Sequence, residues 1–597
     1  MPYRAPVKDM MFMMNAAAGL DAGMSDGIYA DLADGMAEAT LNEAAKFAEN
    51  VIGPLNRGGD QIGAKWKDGV VTTAPGWIDA YRQFVEGGWQ SVTGSPDHGG
   101  MGLPQVLLAG CMDMWSAANM AFMLGPVLTF GAIDALEAHA SDEIKHTYLE
   151  KMVSGVWPAT MNLTEPGAGS DLNPLRTRAE RQGDGTYRIF GQKIFITYGE
   201  HDMSENIVHL VLARLPDAPA GTRGISLFVV PKFMVNADGS LGDRNDVRCA
   251  GVEHKLGIHG SPTCIMVYGD NGGAVGYLVG EENKGLACMF TMMNDARLAT
   301  GLQGVAIGEA SYQHALAYAN ERKQGRAADA KAPGLSPIIE HPDVKRMLMT
   351  MKAMTQSARA VCYATAGAID RSRRAKTPEE RKAASERAGL LTPIAKAYSS
   401  DIGCEVASIG VQVHGGMGFV EETGAAQFMR DSRIVPIYEG TNGIQAIDLV
   451  TRKLPTNGGA VMKAEIADMR SVVEALRGAN DPAFGATAAR LGDALDAFER
   501  ATSFMLGKVG SAVQDALAGA TPYLRMFGLV RGGATLGAMA LAAHRARGAG
   551  DSDPAHAARI ATARFFAENV VVAAGGLETT IVGAADSVLT ADLALAG

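Results

Sequence analysis

The sequence predicts a mainly α-helical protein with a central β domain, and three observations lead to this fold class. Between about residues 30 and 160, apolar side chains recur at helical spacing, for example at Leu41 and Ala45. Short runs rich in β-branched and aromatic residues follow between about 161 and 283, separated by Gly, Asp and Asn turns. Long helical patterns return after Gly285.

These changes in pattern divide the chain into four predicted domains. An N-terminal helical domain occupies residues 1–160, and the central β domain occupies 161–283. A second helical domain follows at 284–454, and a C-terminal helical extension completes the chain at 455–597. The chain has 597 residues, of which 47% are apolar, so it is long enough to bury several cores.

Individual elements can be placed within these domains. Four runs of the β domain have the composition of strands, namely 187–190, 193–196, 207–212 and 225–230. Three long helical patterns follow, at 287–321, 343–374 and 379–413. In the extension, residues 456–459 resemble a linker, and two further helices are predicted at 488–504 and 555–573.

Charge argues against partners that are strongly negative. The net charge of -11 gives a long-range field that repels nucleic acid and anionic membranes. The segment from 460 to 597 carries 12 Lys plus Arg and 14 Asp plus Glu, so it has no basic excess with which to bind DNA. We therefore expect no nucleic-acid partner.

The cysteine and hydropathy patterns predict the cellular location of the protein. The six cysteines lie far apart without a CxxC pair, which predicts reduced thiols and neither a disulfide framework nor a metal site. The apolar run at 10–14 is too short for a signal sequence. No stretch was expected to reach the roughly 20 apolar residues that span a bilayer. These patterns predict a soluble cytoplasmic protein with no membrane insertion.

Glu439 is the strongest candidate for a catalytic residue. It lies between an apolar run and a glycine in the segment 437–441. A carboxylate at such a place is costly to desolvate, so its pKa rises, which suits a base that takes a proton from carbon. A lone Glu in a turn is more often a surface residue. The neighbouring segments decide between these interpretations.

The loop at 161–172 is the second candidate for a functional segment. It combines Pro, Gly and Ser as the chain leaves an apolar stretch, which offers bare backbone amides to an anion. On its own, such a loop is more often an ordinary turn.

Together, these segments resemble the acyl-CoA dehydrogenase family, whose members are flavoproteins that desaturate coenzyme A thioesters between Cα and Cβ. The matching motifs are Thr-Glu-Pro-Gly-Ala-Gly-Ser-Asp at 164–171, the Gly-rich segment 412–419, Arg430-Asp431 and the segment 436–443. The resemblance covers about residues 40 to 452. It implies a helical bundle, a β-barrel-like domain and a second helical bundle, with the extension outside the common core.

The resemblance implies FAD as the cofactor. Thr164 and Thr197 would contact the isoalloxazine ring, and Ser170 the pyrophosphate. Phe195 stands where the family usually has Trp, which keeps a flat apolar wall but loses an indole donor; a core Phe of a β-strand fits this position equally well. The implied FAD-binding residues are Met161, Leu163, Thr164, Gly169, Ser170, Phe195, Thr197, Arg322, Gln412, Gly416 and Thr441.

Some of these contacts imply a homodimer. In the family, the Arg at the position of Arg322 reaches the FAD of a neighbouring subunit. Residues at the positions of Gln412 and Gly416 approach the adenosine diphosphate part across the dimer interface. An FAD site completed by two subunits predicts at least a dimer.

The substrate contacts are implied in the same way. Arg297 matches an Arg near the thioester, whereas Asn294 replaces the acidic residue that helps to hold coenzyme A. Some members place the catalytic Glu where this chain has Ala296, which leaves Glu439 as the matching base. The implied substrate-binding residues are Ser170, Asn294, Arg297, Tyr438 and Gly440.

The implied reaction is FAD-dependent α,β-dehydrogenation of an acyl-CoA to a trans-2-enoyl-CoA. Glu439 would take the α-proton while a β-hydride passes to the flavin, and electron-transferring flavoprotein would accept the electrons. The chain length and the opening segment 3–10 most resemble the branch that breaks down dimethylsulfoniopropionate. That resemblance implies 3-methylmercaptopropionyl-CoA as substrate and methylthioacryloyl-CoA as product.

Three alternatives remain at the level of sequence. A short/medium or broad-range fatty acyl-CoA dehydrogenase of β-oxidation would share every motif above. An acyl-CoA oxidase would use the same Glu and FAD but pass electrons to oxygen. A non-enzymatic DNA-associated relative would need a basic face, which the charge balance of the extension disfavours.

Overall fold

The elements of the computed structural model, which describes residues 3–33, 35–331 and 333–596, follow the predicted order of helices, strands and helices. The first helices are α1 (Val7–Ala18), α2 (Leu20–Asp26), α3 (Met36–Phe47), α4 (Asn56–Ile62), α5 (Trp77–Glu86), α6 (Gln105–His139) and α7 (Asp142–Val153). Two short strands, β1 (Lys65–Lys67) and β2 (Val70–Thr72), form a hairpin between α4 and α5.

The hairpin was missed because residues 30–160 were predicted to form a bundle of helices joined by loops. Its turn is Asp68-Gly69, and both residues have a positive φ, 49° and 86°. An Asp-Gly pair is a strong hairpin signal, because both central residues of a type I′ turn need this backbone region. The signal was therefore present in the sequence.

Ten strands follow: β3 (Ala159–Asn162), β4 (Arg178–Arg181), β5 (Tyr187–Thr197), β6 (Val208–Arg214), β7 (Ile225–Pro231), β8 (Phe233–Val235), β9 (Leu241–Arg244), β10 (Val247–Val252), β11 (Thr263–Tyr268) and β12 (Ala274–Val279). The two predicted strands at 187–190 and 193–196 are one continuous strand, β5. The two residues between them stay in the sheet, because Gly191 pairs with Tyr268 and Gln192 with Val267.

The second half of the chain is helical. It contains α8 (Gly285–Glu321), α9 (Pro342–Arg374), α10 (Pro378–His414), α11 (Ala425–Ser432) and α12 (Asn442–Asp448). The extension contains α13 (Ala460–Ala479), α14 (Thr487–Val509), α15 (Val513–Ala518), α16 (Ala520–Gly548), α17 (Ala555–Asn569), α18 (Ala574–Gly583), α19 (Ala585–Leu589) and α20 (Asp592–Leu595). The predicted linker at 456–459 is instead a short 3₁₀ helix, Thr456–Gly459, within which Asn457 and Gly458 have positive φ.

The chain forms two compact units. Unit 1 comprises Met1–Glu43, Gln105–Ala117 and Arg297–Gly597, and unit 2 comprises Ala44–Pro104 and Ala118–Ala296. The boundaries fall within α3, α6 and α8. The four-domain division stays a prediction.

Unit 2 is built on an eight-stranded sheet in the order β10-β11-β5-β12-β7-β6-β3, with β4 beside β5 and β6. Strand β6 is buried on both faces. Leu210 and Leu212 join a core that includes residues of α6 and α7, whereas Val211 and Ala213 join a second core on the opposite face. This alternation explains why the strand reads as a continuous apolar run.

In unit 1, the extension packs directly against the preceding helical domain. Helix α16 runs along α9 and α10. A Cβ added at Gly528 would come within 2.3 Å of the Tyr398 ring, and one at Gly532 within 2.8 Å of Ser357 Cβ. The backbone of α16 therefore lies against these two helices at a distance that only glycine permits.

Three helical stretches are long and apolar enough to cross a membrane, judged by length and composition within the described residues. They are Gln105–His139, Ala520–Gly548 and Ala555–Gly583. The expectation that no stretch would reach this length is therefore wrong. In the first two, 100% and 89% of the apolar window is buried inside the protein, whereas in the third the share is 28%. The first two stretches thus serve as protein core.

A buried ion network joins α6, α8 and α9 in unit 1. Arg359 Nε donates to Asp113 Oδ2 over 2.7 Å, and its Nη1 donates to Glu309 Oε2 over 3.0 Å. The Tyr363 hydroxyl also donates to Asp113 Oδ2, over 3.0 Å. Arg359 is only 2% exposed, so two carboxylates depend on one cation out of contact with water.

Replacing Arg359 by Met should therefore lower the free energy of unfolding by about 3–5 kcal/mol, because it leaves Asp113 and Glu309 buried without their counterion. Urea denaturation at neutral pH measures the change. Arg346→Met is the matched control on the same helix: its partner Asp343 is exposed, and the expected loss is at most about 0.5 kcal/mol. Equal effects of the two substitutions would contradict the role of the buried network.

Candidate active site

The predicted flavin loop, defined here as residues 163–172, is attached to strand β5 of unit 2. The Lys193 ammonium donates to the Leu163 carbonyl over 3.0 Å, and the Ile194 amide donates to the Thr164 carbonyl over 2.9 Å. The Thr160 hydroxyl donates to the Thr197 carbonyl over 2.6 Å. These bonds bring the flavin loop next to Phe195 and Thr197, as the sequence motifs require.

Glu165 points into the protein rather than outward from the flavin loop. Its carboxylate accepts hydrogen bonds from Lys193 Nζ at 2.8 Å, from the Arg176 amide at 2.7 Å and from the Thr177 amide at 2.9 Å. Burial alone would raise the pKa of Glu165, but the Lys193 ammonium and these hydrogen bonds lower it below its usual value. The negative charge is therefore neutralised inside unit 2.

The outer edge of the flavin loop is open. Gly169 and Ser170 are exposed, and a Cβ added at Gly167 or Gly169 would meet no atom within 4 Å. Phe195 is 58% exposed and has φ 60°, which is unusual for an aromatic residue. Phe195 lies within strand β5, but its ring is directed outward at this unusual φ. The alternative of a core Phe is therefore wrong.

The remaining predicted residues of unit 2 differ in their exposure. Thr164 and Thr197 are half-buried. Met161 and Leu163 are partly buried against the core that includes α6 and α7. Asn294, also in unit 2, is exposed on α8. Open glycines, hydroxyl donors and an exposed flat ring suit a ligand with phosphates and an aromatic ring system.

Glu439 lies in unit 1, in a loop of residues 433–441 between α11 and α12, called here the Glu439 loop. Its φ is 56°, and that of Gly440 is 80°. A positive φ at a non-glycine residue costs of order 1 kcal/mol or more and persists only where the surroundings enforce it. Here the Gln445 side chain donates to the Glu439 carbonyl over 3.1 Å, and the Thr441 hydroxyl caps α12 by accepting from the Ile444 amide at 3.3 Å.

The Glu439 side chain is partly buried, and one of its carboxylate oxygens is withheld from water. Its Oε2 atom is buried and has no hydrogen-bond partner among residues 3–33, 35–331 and 333–596. Burial raises the pKa of Glu439 to about 7, although the positive charges of Arg297 and Lys396 act to lower it. The predicted rise in pKa is thus present, and its main cause is desolvation.

A cation, Arg297, and a hydroxyl group, that of Tyr438, belong to the surroundings of Glu439. Arg297, at the start of the α8 segment in unit 1, interacts electrostatically with Glu439, and burial lowers the pKa of its guanidinium. Tyr438 donates a hydrogen bond to the Gln303 side chain, also on α8. The structure therefore brings Glu439, Tyr438, Gly440, Thr441 and Arg297 together, as the sequence motifs predicted.

Three predicted residues of unit 1 lie on its surface. Arg322 is exposed just after α8, Gln412 is exposed in the last turn of α10, and Gly416 is exposed in the following 3₁₀ helix. Exposure is compatible with the predicted contact to a neighbouring subunit. No cluster of His, Cys, Asp and Glu that could hold a metal ion occurs in the part of the chain that the structure describes.

Sequence reasoning missed Lys396, Asn442, Gln303 and Gln445, which surround the Glu439 loop. Lys396 was the most recognisable of them in the sequence, because it is the single cation within the mostly apolar run 390–398, which is buried in the structure. Lys is rarely fully buried unless it is paired, so this pattern is itself a signal.

Comparison with known proteins identifies the family to which the sequence is similar. Acyl-CoA dehydrogenase family models match the N-terminal domain at residues 37–156, the middle domain at 160–270 and the C-terminal domain at 283–454. A model described as acetyl-CoA dehydrogenase C-terminal like matches residues 463–592. The family therefore accounts for the extension as well as the common core.

Two curated relatives and one solved structure are informative. The chain is 47% identical to 3-methylmercaptopropionyl-CoA dehydrogenase of Ruegeria pomeroyi over 99% of this chain and 100% of that protein. It is 37% identical to a butyryl-CoA dehydrogenase of Syntrophomonas wolfei over 83% of this chain and 82% of that protein. An acyl-CoA dehydrogenase from Bacillus anthracis, solved in complex with FAD, has the same fold: its TM-score is 0.72 at 22% identity, over 92% of this chain and 88% of that one.

The family models match nearly the whole chain, and a relative of 47% identity extends over its full length. The protein therefore belongs to the acyl-CoA dehydrogenase family and is an oxidoreductase that acts on acyl-CoA.

Proposed function

We propose that this protein uses FAD to oxidise 3-methylmercaptopropionyl-CoA to methylthioacryloyl-CoA. The observation that carries the proposed chemistry is the buried Glu439 carboxylate, whose pKa is raised to about 7. The choice of substrate is supported by the Ruegeria relative, which shares 47% of its residues over the full length of both chains.

FAD is the cofactor that the open side of unit 2 fits best. Thr164, Ser170 and Thr197 would supply hydroxyl or backbone hydrogen bonds, and Phe195 would supply a flat apolar wall. The Lys193–Glu165 pair supports this fit, because it compensates the negative charge of the Glu165 carboxylate inside unit 2. When bound, FAD accepts the hydride that leaves Cβ of the substrate.

Glu439 would act as the base that removes the α-proton of the thioester. The Cα–H bond breaks, and its proton goes to a carboxylate oxygen. The electron pair of that bond forms the new Cα–Cβ double bond as the hydride leaves Cβ. The Glu439 backbone amide would donate to the thioester carbonyl and stabilise the developing enolate; such preorganised donors are worth about 3 to 4 kcal/mol each. Arg297 would add positive charge close to the thioester.

Two further partners belong to the proposal. Electron-transferring flavoprotein would reoxidise the reduced cofactor, as the family resemblance implies. A homodimer would complete the FAD site, and the exposure of Arg322, Gln412 and Gly416 supports a contact with a second subunit.

A short-chain fatty acyl-CoA is the second candidate substrate. It is supported by the butyryl-CoA dehydrogenase of Syntrophomonas wolfei, which is 37% identical to this chain. The thioether substrate and butyryl-CoA differ mainly by a sulfur atom and by length, so both would test the same pocket.

Turnover with a dye acceptor over a panel of acyl-CoAs should identify the substrate. We expect the largest kcat/KM for 3-methylmercaptopropionyl-CoA, with lower values for butyryl-CoA and hexanoyl-CoA. A preference for a straight-chain thioester would contradict the thioether assignment and leave the dehydrogenase chemistry intact. Rapid peroxide formation without any added acceptor would identify an oxidase instead.

Replacing Glu439 by Gln should abolish most turnover but leave the protein yellow. General-base catalysis contributes roughly 10²–10⁴-fold, so a loss of at least about 10²-fold in kcat is expected. Glu422→Gln is the matched control, because Glu422 is an exposed acid in the same part of the chain. Activity near that of the unmodified enzyme in Glu439→Gln would remove the assignment of the base.

The pH dependence of kcat/KM should reveal the same carboxylate. The base works only when it is ionised, so kcat/KM should rise with pH and level off above a midpoint near 7, the pKa of Glu439. Below the midpoint we expect about a tenfold fall per pH unit. A profile that stays flat from pH 5.5 to 8 would show that no group of this pKa controls the reaction.

A further inference from the structure

Lys396 is a buried cation whose side chain contacts the segment that follows Glu439. The residue is fully buried in α10, and its ammonium donates to Asn442 Oδ1 over 2.7 Å. Asn442 begins α12, directly after the Glu439 loop. Lys396 therefore joins α10 to the end of the loop that carries the proposed base.

Asn442 fastens the Glu439 loop to α10 through several bonds at once. Its side-chain amide donates to the Ala397 carbonyl at 3.1 Å, to the Ser400 hydroxyl at 3.0 Å and to Asp401 Oδ1 at 2.7 Å. Its backbone amide donates to the Pro436 carbonyl at 3.0 Å. The positive φ of Glu439 is thus enforced from the α10 side as well as by Gln445.

A buried lysine requires compensating interactions to stay charged, because desolvation disfavours the ammonium form. Burial lowers the pKa of Lys396 to about 7, and the negative charges of Glu439 and Asp401 act to raise it. A cation and a carboxylate that interact out of water titrate as a pair, so the charge on each depends on the other.

We propose that Lys396 is a positioning residue for Glu439: it anchors the Glu439 loop to α10 through Asn442 and supplies the buried positive charge that keeps the carboxylate ionised. This role rests on the proposed function of Glu439 as the base. Lys396 touches neither the substrate nor the cofactor in this role, and it acts through the carboxylate and the loop.

The other charged or titratable groups around the pair lie on α8, α10, α12 and α16, in the Glu439 loop and just after α12. Arg297 of α8 faces both Glu439 and Lys396, and Tyr438 lies beside Glu439 in the loop. The remaining charged or titratable groups are Asp401 and Cys404 of α10, Asp448 and Arg452 near Arg297, and Arg525 and Glu405 near Asp401. Arg297 is thus the second cation acting on Glu439, and its charge remains when Lys396 is replaced.

The test compares Lys396→Met, which removes the charge and the hydrogen bond, with Lys396→Gln, which can still donate to Asn442. Without the cation, the carboxylate is harder to ionise, so the acidic limb of kcat/KM should move up by about one pH unit in both variants. At pH 7 both should lose up to about tenfold in kcat/KM and recover at higher pH. Lys382→Met, on an exposed turn of the same helix, is the control and should leave the profile unchanged.

A merely structural role predicts a different result. It would lower the yield of active enzyme or its melting temperature without moving the pH profile. An acidic limb that stays in place in both Lys396→Met and Lys396→Gln would therefore overturn the proposal.

A second measurement separates this proposal from the proposed function. If the unmodified protein turns over no acyl-CoA, the function fails, and thermal unfolding at pH 7, near the pKa of both groups, still tests Lys396. There Lys396→Met should lower the melting temperature more when Glu439 is present than in the Glu439→Gln background, because only an ionised carboxylate loses its counterion. Equal losses in the two backgrounds would overturn the role of Lys396.

Discussion

Unit 1 is organised around a carboxylate that is kept from water without being fully paired. Desolvation raises the pKa of Glu439 and is costly, so the surrounding structure must hold the side chain where it would not stay alone. A left-handed backbone, a capped helix start at Thr441 and the side-chain amides of Gln445 and Asn442 together enforce its place. Nearby cations limit the rise in pKa, so the group can still ionise near neutrality.

Unit 2 handles a buried carboxylate in the opposite way. Glu165 receives an ammonium and two backbone amides, so its charge is fully satisfied and its pKa falls. The pKa of the same residue type is therefore lowered in one place and raised in the other. The number of donors that reach each carboxylate makes the difference.

The order of helical, β and helical segments could be predicted from the sequence, and the roles of the individual site residues stay predictions. The predicted helical stretches matched α8, α9 and α10 to within a few residues, because these helices extend over many turns and carry clear end signals, such as Pro378 after the capping Thr377. The short β1–β2 hairpin was missed because strands of three residues have almost no periodicity of their own.

Contacts between distant parts of the chain could not be predicted from the sequence. Nothing local in the sequence tells that Lys396 meets Asn442, 46 positions later, or that Phe195 turns outward from its strand. The apolar lengths of α6 and α16 were also misjudged, because a helix buried in a large protein and a membrane-spanning helix share the same composition. Only the packing shows which of the two a segment is.

The glycines of α16 have a consequence for any attempt to recombine members of this family. Gly528 and Gly532 let the helix backbone touch Tyr398 and Ser357, so there is no room for a side chain at either position. Tyr398 lies two residues beyond Lys396 on α10. A chimera that exchanges the last third of the chain must therefore bring its own versions of α9 and α10, since a mismatched pair would push on the helix that carries the lysine.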